Sequence, residues 1–421
     1  MATPRTKNVA AQFDTSYSWL IMVASFLVQT VIFGTLSSLG VYYAHFVEDL
    51  SWSPSQAAII PSAVFGTSCL MGPIVSVMYY SIGSRCTTIL GGLLTFAGFV
   101  AAFLADSSDR FWITFAFCIV GIGVGTALGS CHPIITEYFL KYRHTALTVS
   151  TIGGAFGPFM IPVIVQYFLK HYGFQGAALL HGGLALQVVV LGMLMRSTGA
   201  FETSSSKLRD KCQFQLLKQP LFLLMCLNCA MWGGTNFIHS SMINTLIIER
   251  GLSADTAALM VSASGAANLI GRMLVALIAH KGDNLRIWLY FATSTMFTIG
   301  VSLCVIGSTV PEFLSFQLLN GLGFGSMRSI SPSLMLYLFG PENMSASRGF
   351  MTPFVGASGL LAPLLAGLLA EAYDMTAAYY LATGLGLVNV ITCVGLALKS
   401  HGARTDTKQE PVAAEPLEID G

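Results

Sequence analysis

Polar positions divide this sequence into long apolar stretches. A helix needs an apolar run of about 20 residues to cross the hydrocarbon core of a bilayer. Twelve such runs, called spans 1 to 12, are present, with short polar connections between most of them. The pattern predicts an all-α membrane protein with twelve transmembrane helices. In order, the spans cover residues 18–44, 56–80, 86–105, 111–138, 145–169, 174–195, 220–247, 253–279, 287–308, 313–338, 346–370 and 376–398.

The longest polar interruption lies in the middle of the chain. Residues 197–219 carry Ser, Lys, Arg and Asp side chains and are predicted to form a cytoplasmic linker. The chain is therefore expected to fold as two six-helix bundles, 18–196 and 220–398. Residues 1–17 are expected to be a cytoplasmic N-terminal segment. Residues 399–421 are polar and are predicted to form a disordered cytoplasmic tail.

Composition agrees with a membrane protein and excludes several other classes. Charged residues make up 10% of the chain, against about 25% in soluble domains. Apolar residues reach 54%, and the mean hydropathy is +0.69. No basic run marks a nucleic-acid partner, and the cysteines lack metal-ligand spacing. The lipid bilayer is the expected surrounding, and neither a metal nor a cofactor is expected.

Basic residues predict the orientation, because Lys and Arg are enriched in cytoplasmic loops. With both termini in the cytoplasm, sixteen of the 21 Lys and Arg side chains, including Arg348, face inside. Only Arg110, Lys170 and Arg250 face outside. The two that remain lie within spans. The protein is expected to be an integral multi-pass protein of the plasma membrane.

The two halves share an internal repeat. Span 4 contains a Gly-x-Gly-x-Gly run at 121–125 and span 10 contains another at 321–325, and each is followed by a proline. Span 5 carries Gly154 and Gly157, and span 11 carries Gly356 and Gly359 at nearly the same offset. Repetition of this kind is typical of transporters with the major facilitator fold, whose halves move around a central site.

Three segments have the character of family signatures. Asp14-Thr-Ser-Tyr-Ser-Trp19 leads into span 1, and Tyr138-Phe-Leu-Lys-Tyr-Arg-His-Thr-Ala146 leads into span 5 and on through Gly154 and Gly157. Asn268-Leu-Ile-Gly-Arg272 lies in span 8. With these segments the chain resembles the monocarboxylate transporter family (solute carrier 16) of the major facilitator superfamily. The resemblance implies transport without enzymatic activity, and a single-span accessory membrane protein as a candidate partner.

The chain departs from the resembled family at two positions. Proton-coupled, lactate-type members carry an acidic residue where this chain has Asn268, and a lysine in span 1 where it has Ser37 or Ser38. Other branches move aromatic amino acids, iodothyronines or creatine-like solutes, some of them without protons. The resemblance therefore leaves both the solute and the proton coupling open, with facilitated uniport and proton symport as alternatives.

Two arginines, Arg272 in span 8 and Arg328 in span 10, are predicted to carry the central chemistry. A charge near the centre of a membrane helix costs about 2.5–3.5 kcal/mol on insertion scales. No Asp or Glu lies at a comparable depth in the sequence. A bound carboxylate would supply the missing negative charge with bidentate geometry. The alternative is that backbone carbonyl groups satisfy each guanidinium.

Other polar residues at helical spacing complete the predicted site. Asn268 shares a helix face with Arg272 at i, i+4, and Trp232 and Asn236 form a similar pair in span 7. Interhelical packing is the alternative for these side chains. The remaining candidates are Ser38 for substrate binding, His132 and His239 for proton coupling, and Lys141 and Arg143 for a cytoplasmic gate.

The sequence thus predicts a carrier for a small organic anion. The expected solute is a monocarboxylate or a related carboxylate-bearing molecule that moves by alternating access. An aromatic amino acid or another zwitterion is the alternative solute. A non-transporting sensor on the carrier scaffold and a membrane-embedded enzyme are the alternatives from other classes, and the enzyme lacks a recognisable nucleophile or metal motif.

Overall fold

The computed structural model describes residues 13–106, 109–198, 214–278 and 282–406. Within these residues the chain is helical and contains no strand. All twelve predicted spans fall on helical segments. The helices cover Ser16–Glu48, Pro54–Leu70, Gly72–Phe103, Arg110–Tyr138, Arg143–Leu194, Pro220–Glu249, Ala254–Ile278, Asp283–Leu303, Val310–Phe339, Met344–Ala372 and Met375–Asp406.

Two of these helices contain a chain reversal at a glycine. The 52-residue helix Arg143–Leu194 breaks at Gly173, where φ is 65°, and so forms spans 5 and 6. The helix Gly72–Phe103 breaks at Gly83, where φ is 77°, and separates span 2 from span 3. Positive φ is accessible to glycine without a steric penalty. By length and hydropathy, eight described helices are able to cross a membrane.

The predicted connecting segments are only partly described. Most of the predicted linker 197–219 lies outside the described residues, apart from its two ends, and a short 3-10 helix occupies Phe214–Lys218. The helix of span 12 continues to Asp406, so the prediction of a disordered tail from residue 399 is wrong for its first eight residues. Residues 399–406 contain no proline, so the sequence allows the backbone hydrogen bonding of the helix to continue there. Residues 407–421 lie outside the described part.

The glycine run of span 4 allows close packing against two neighbours. A Cβ atom added at Gly121 would lie 2.5 Å from the carbonyl oxygen of Val64 in span 2. One added at Gly123 would lie 2.7 Å from the carbonyl oxygen of Gly91 in span 3. The run therefore packs against spans 2 and 3 at distances that only glycine permits.

The glycine run of span 10 packs in the corresponding way. A Cβ atom added at Gly325 would lie 2.8 Å from Cα of Asn268 in span 8, and one added at Gly323 would lie 2.8 Å from Cα of Phe297 in span 9. Spans 8, 9 and 10 thus repeat the arrangement of spans 2, 3 and 4. The predicted internal repeat is confirmed.

A tyrosine and a histidine pair once in each half. In the N-terminal half, the Tyr42 hydroxyl of span 1 lies 3.3 Å from Nδ1 of His181 in span 6. In the C-terminal half, the Tyr379 hydroxyl of span 12 lies 3.4 Å from Nδ1 of His239 in span 7. All four side chains are buried. Span 1 corresponds to span 7, and span 6 corresponds to span 12. The tyrosine therefore lies on the first span of the N-terminal half but on the last span of the C-terminal half, and the histidine lies on the other span of each pair.

The halves are joined at one end of the bundle. The Tyr80 hydroxyl of span 2 donates to the carbonyl oxygen of Glu342 at 2.5 Å, and Nδ1 of His144 in span 5 lies 2.6 Å from the Ser333 hydroxyl of span 10. Among the described residues, no hydrogen bond joins the halves at the opposite end. We call the joined end the closed end; it includes the connections 139–142 and 340–343.

The two halves also meet at a contact between two glycines. A Cβ atom added at Gly349 in span 11 would lie 2.5 Å from the carbonyl oxygen of Gly72 in span 2 and 3.0 Å from Cβ of Ser76. The backbones therefore touch where spans 2 and 11 cross. This crossing, together with the hydrogen bonds above, closes one end of the space between the halves.

Candidate functional site

Arg272 is held by atoms of both halves. Its side chain is 8% exposed. Nε donates to Oδ1 of Asn268 at 3.0 Å, and Nη1 donates to the carbonyl oxygen of Thr151 in span 5 at 2.5 Å. Gly154 makes room for this reach across the interface, because a Cβ atom there would lie 3.2 Å from Nη1. The predicted pairing of Asn268 with Arg272 is present, and span 5 supplies a second partner.

These contacts bear on the stated alternative that backbone carbonyl groups satisfy the Arg272 guanidinium. One backbone carbonyl and one amide oxygen accept hydrogen bonds from two of its five N–H donors, so the alternative holds in part. Both acceptors are neutral, so they satisfy hydrogen bonds without cancelling the charge. An ion pair joins His45 with Asp49 near the end of span 1 and does not involve Arg272.

Arg328 has more freedom to bind a solute than Arg272 has. Its guanidinium carbon lies 4.8 Å from the ring centroid of Trp232, a cation–π distance, and the Trp232 ring packs against Phe324 at 5.9 Å. The described residues provide no hydrogen bond to the Arg328 guanidinium. The side chain is half-buried. A cation held in place by a ring, with its donors open, is well suited to bind a carboxylate.

Arg348 is a third arginine near the start of its helix, and the expectation that it faces the cytoplasm stays a prediction. It lies one turn into the helix Met344–Ala372 and is half-buried. Its charge acts on Arg328 and on His132. No hydrogen bond to its guanidinium is present in the described part of the chain. Its place on a helix could be predicted from the sequence, because position 348 lies inside the apolar run 346–370.

His132 lies where the fields of all three arginines overlap. The charges of Arg348, Arg328 and Arg272 act on its ring. The ring is 3% exposed, and neither Nδ1 nor Nε2 has a hydrogen-bond partner among the described residues. A buried polar group without a partner costs free energy. The His132 ring therefore has hydrogen-bonding capacity that the described residues do not use.

His239 and Asn236 lie on span 7, near this region. His239 is buried, with Nε2 lying 3.0 Å from Oε1 of Gln317 and Nδ1 facing Tyr379. Because neutral groups occupy both ring nitrogens, His239 serves as a packing residue in this state, and its role in proton coupling stays a prediction. Asn236 lies one turn after Trp232 along the helix. It is half-buried and has no hydrogen bond within the described residues.

The other predicted residues are engaged locally. The buried Ser38 hydroxyl donates to the carbonyl oxygen of Gly34 in its own helix at 2.8 Å. Nζ of Lys141 lies 5.2 Å from the ring centroid of Tyr142, and Nε of Arg143 donates to the carbonyl oxygen of Phe139 at 2.6 Å. These partners belong to the N-terminal half. Substrate binding by Ser38 and a gate at Lys141 and Arg143 stay predictions.

The first two signature segments pack against each other. The Asp14 carboxylate accepts the backbone N–H groups of residues 140, 141 and 142, at 3.4, 2.9 and 3.3 Å. The Trp19 ring lies 5.2 Å from the ring of Phe139, and the Ser18 hydroxyl donates to the carbonyl oxygen of Tyr138 at 3.0 Å. These segments therefore fasten the start of span 1 to the connection between spans 4 and 5.

We expect Asp14→Gly to lower stability without changing the apparent substrate affinity. Glycine adopts the positive φ of residue 14 (55°) freely, so the loss reports the carboxylate. The substitution leaves three backbone N–H groups without an acceptor at a half-exposed site. We therefore expect the free energy of unfolding to fall by about 1–2 kcal/mol and the melting temperature to fall by a few degrees. Thermal unfolding of the purified protein measures it.

The matched control is Asp109→Gly, because the Asp109 carboxylate accepts one N–H, that of Trp112, at 3.0 Å. We expect the melting temperature of Asp109→Gly to fall by less than that of Asp14→Gly. A melting temperature of Asp14→Gly equal to that of the wild type would show that the signature contact contributes nothing to stability.

Comparison with known proteins agrees with this architecture. The model of the Major Facilitator Superfamily matches residues 20–352. Monocarboxylate transporter 2 of Mesocricetus auratus is 27% identical, with 94% of this chain and 87% of the relative covered. Human monocarboxylate transporter 2 is 26% identical over 96% of this chain and 91% of the relative. Monocarboxylate transporter 6 of Mus musculus is 22% identical over 89% and 85%.

Solved structures confirm the predicted fold. The crystal structure of the E. coli fucose:proton symporter FucP covers 91% of this chain and 99% of its own, with a TM-score of 0.73 at 14% identity. The proton:xylose symporter XylE covers 90% and 95%, with a TM-score of 0.72 at 13% identity. The predicted membrane-transport class and the resemblance to monocarboxylate transporters are likewise confirmed. The chain therefore belongs to the Major Facilitator Superfamily, in which it resembles the monocarboxylate transporters.

Proposed function

We propose that this chain is a secondary transporter for a small carboxylate-bearing organic solute, a monocarboxylate or a related molecule. It moves the solute by alternating access, as a facilitated uniporter or a proton symporter, and it is a carrier rather than an enzyme. The similarity to monocarboxylate transporters supports the class of solute.

One observation carries the proposal. The charges of Arg272, Arg328 and Arg348 all act on His132, and no carboxylate of the described residues lies within ion-pair distance of the three arginines. Arg272 is buried and Arg328 and Arg348 are half-buried. Cations at such positions without counter-ions are costly, and a ligand that brings negative charge removes part of that cost. Arg328 offers free donors held against Trp232, and His132 offers a ring nitrogen with no partner.

The position of the three arginines and His132, together called the arginine cluster, supports alternating access. The three arginines and His132 lie in the parts of their helices that point toward the closed end. Arg272 itself joins span 8 to span 5 through the Thr151 carbonyl, and the Thr151 hydroxyl lies 3.0 Å from the Ser329 hydroxyl of span 10. Solute binding beside these joints is therefore able to change the balance between closed and open arrangements.

The orientation belongs to the same proposal. We place both termini in the cytoplasm of a plasma-membrane protein, because Lys and Arg side chains concentrate in the connections on that side. The closed end then faces the cytoplasm. A single-span accessory membrane protein stays a prediction.

Counterflow in proteoliposomes tests the proposal. The purified protein is reconstituted into proteoliposomes that are loaded with unlabelled solute. Uptake of radiolabelled lactate, pyruvate, ketone bodies, aromatic amino acids and creatine is then followed with and without a pH gradient. We expect trans-stimulated uptake of at least one carboxylate-bearing solute. Protein-free vesicles are the control. Absence of exchange for every carboxylate by well-folded protein would refute the proposal, and binding without exchange would indicate a sensor.

Asn268→Asp should increase the response of transport to a pH gradient. The new carboxylate would replace an acceptor that lies 3.0 Å from Nε of Arg272, at the position where resembled proton-coupled transporters carry an acid. A titratable group on the arginine that joins the halves links proton binding to the conformational change. We expect the ratio of flux with an inward proton gradient to flux without it to rise at least about twofold.

Asn268→Gln controls for this change, because it keeps a neutral amide and should leave that ratio as it is in the wild type. Equal ratios in Asn268→Asp and wild type would show that position 268 does not govern coupling.

A further inference from the structure

We infer that Glu137 is a positioning residue for the closed end of the bundle. Its buried carboxylate fastens the first residues of the predicted linker 197–219 to span 2. Through span 2 it holds Tyr80 in place for the hydrogen bond that joins the two halves. The inference rests on the alternating access of the proposed function, but not on which solute is carried.

Glu137 is a buried carboxylate that the proposed solute site does not use. It lies in the last turn of the helix Arg110–Tyr138 and is 2% exposed, so its burial is costly unless hydrogen bonds satisfy it. The Tyr79 hydroxyl of span 2 donates to Oε1. The Ser197 hydroxyl, the Thr198 N–H and the Thr198 hydroxyl donate to Oε2 at 2.9, 2.9 and 3.1 Å. One carboxylate therefore joins the end of span 4 to span 2 and to the residues that follow span 6.

Further contacts hold the start of the linker at this place. The Tyr138 hydroxyl donates to the carbonyl oxygen of Arg196 at 2.5 Å. A Cβ atom added at Gly83, where the chain reverses after span 2, would lie 3.4 Å from Cβ of Ser197. The first linker residues therefore pack against the ends of spans 2 and 4, and the carboxylate lies inside a defined contact.

Two adjacent tyrosines connect Glu137 with the other half. Tyr79 and Tyr80 are consecutive in span 2, so their side chains leave the helix ~100° apart. Tyr79 donates to Glu137, and Tyr80 donates across the interface to the carbonyl oxygen of Glu342 at 2.5 Å. The two rings pack edge to face, with centroids 5.6 Å apart and planes at 90°. Holding the Tyr79 ring therefore fixes the end of span 2 and the direction of the Tyr80 ring.

The C-terminal half lacks this acid. Glu137 lies four residues after Pro133 in span 4, and Leu336 lies four residues after Pro332, the equivalent proline of span 10. Leu336 has no group that could accept these hydrogen bonds. The acid therefore belongs to the half whose last span continues into the linker, as an anchor for the linker requires.

Thiol labelling at position 76 measures the closure of this end. Ser76 is buried one turn before Tyr80, where spans 2 and 11 cross. Ser76→Cys is made in the full chain with the exposed Cys86 replaced by serine, and the maleimide labelling rate is taken above that of the same protein with Ser76. We expect Glu137→Gln to raise this rate about three- to tenfold, the range that corresponds to one lost hydrogen bond.

A double-mutant cycle separates positioning from general destabilisation. Tyr80→Phe removes the bond to Glu342 and should raise the rate to a similar degree. In the Tyr80→Phe background, Glu137→Gln should add less than about twofold, because the bond that it aligns is already gone. Tyr79→Phe keeps the linker contacts and loses only the hydroxyl on Oε1, so it should reproduce the effect of Glu137→Gln and the same dependence on Tyr80.

Two more variants complete the experiment. Ser197→Ala combined with Thr198→Ala removes two of the four donors to Glu137 and should raise the rate about twofold or more. Asp109→Asn is the matched control, because it makes the same change from acid to amide at the opposite end of span 4, where the carboxylate accepts the Trp112 N–H. It should leave the labelling rate unchanged.

The outcomes separate the inference from the proposed function. Independent, multiplicative effects of Glu137→Gln and Tyr80→Phe, or the parental rate in both Glu137→Gln and Tyr79→Phe, would overturn the positioning role. The parental rate in the Ser197→Ala, Thr198→Ala protein would overturn the contribution of the linker. Labelling needs no solute, so absence of carboxylate exchange together with a coupled cycle would refute the proposed solute while Glu137 keeps its role at the closed end.

Discussion

Arg328→Gln is expected to raise the KM for the transported carboxylate at least about thirtyfold, while the protein stays folded. Truncating one partner of a buried, hydrogen-bonded charge pair costs about 2–5 kcal/mol, and 1.4 kcal/mol is a factor of ten. The Arg328 guanidinium lies 4.8 Å from the ring centroid of Trp232 and has no hydrogen-bond partner among the described residues. Glutamine keeps the polarity and much of the length, so the change isolates the charge.

Two further variants make this result interpretable. Trp232→Phe keeps a ring below the guanidinium and should have a smaller effect than Arg328→Gln, because phenylalanine is a weaker partner for a cation than tryptophan. Arg110→Gln removes the same type of cation from the same type of ring at Trp52 and should leave KM unchanged. A wild-type KM in the Arg328→Gln protein would show that Arg328 is not part of the binding site.

Gly349→Val is expected to abolish turnover by preventing closure of the end at which spans 2 and 11 meet. The first side-chain carbon alone would lie 2.5 Å from the carbonyl oxygen of Gly72, closer than a carbon and an oxygen pack. Inserting atoms into a packed interface costs about 1–3 kcal/mol, and here the whole cost falls on one of two conformations. A penalty of about 3 kcal/mol changes the ratio of the two conformations about a hundredfold.

Accessibility of a thiol at position 76 measures this shift. Ser76 is buried beside Gly349, at the crossing of the two spans. In a background with the exposed Cys86 replaced by serine, maleimide labelling of Ser76→Cys should be slow in the parent and at least about tenfold faster with Gly349→Val. Gly367→Val, on the same span with no atom within 4 Å of the added Cβ, should label and transport like the parent. Normal transport by Gly349→Val would show that this contact is dispensable.

The sequence was informative wherever a pattern along one helix decides the outcome. The spacing of glycines in spans 4 and 10 predicted an internal repeat, and the two runs pack against equivalent neighbours, spans 2 and 3 and spans 8 and 9. The i, i+4 spacing of Asn268 and Arg272 predicted a contact that is present. These features depend on local geometry, which the sequence contains directly.

Partners from distant spans could not be predicted in the same way. The carbonyl group of Thr151 is a generic backbone atom, so nothing in the sequence marks it as the acceptor for Arg272. Arg348 has a long side chain near a helix end, and such a side chain is able to extend to water or into the bundle. Its direction depends on the packing of span 11 against the other half, which the sequence does not contain.

The exchanged Tyr42–His181 and His239–Tyr379 pairs limit how the halves of this protein can be recombined. A hybrid that sets span 1 against a copy of span 12 brings two phenols face to face, and one that sets span 7 against a copy of span 6 brings two imidazoles together. Each pair must therefore be inherited as a unit. After an ancestral duplication, one copy would have had to change both members of its pair to reach the present arrangement.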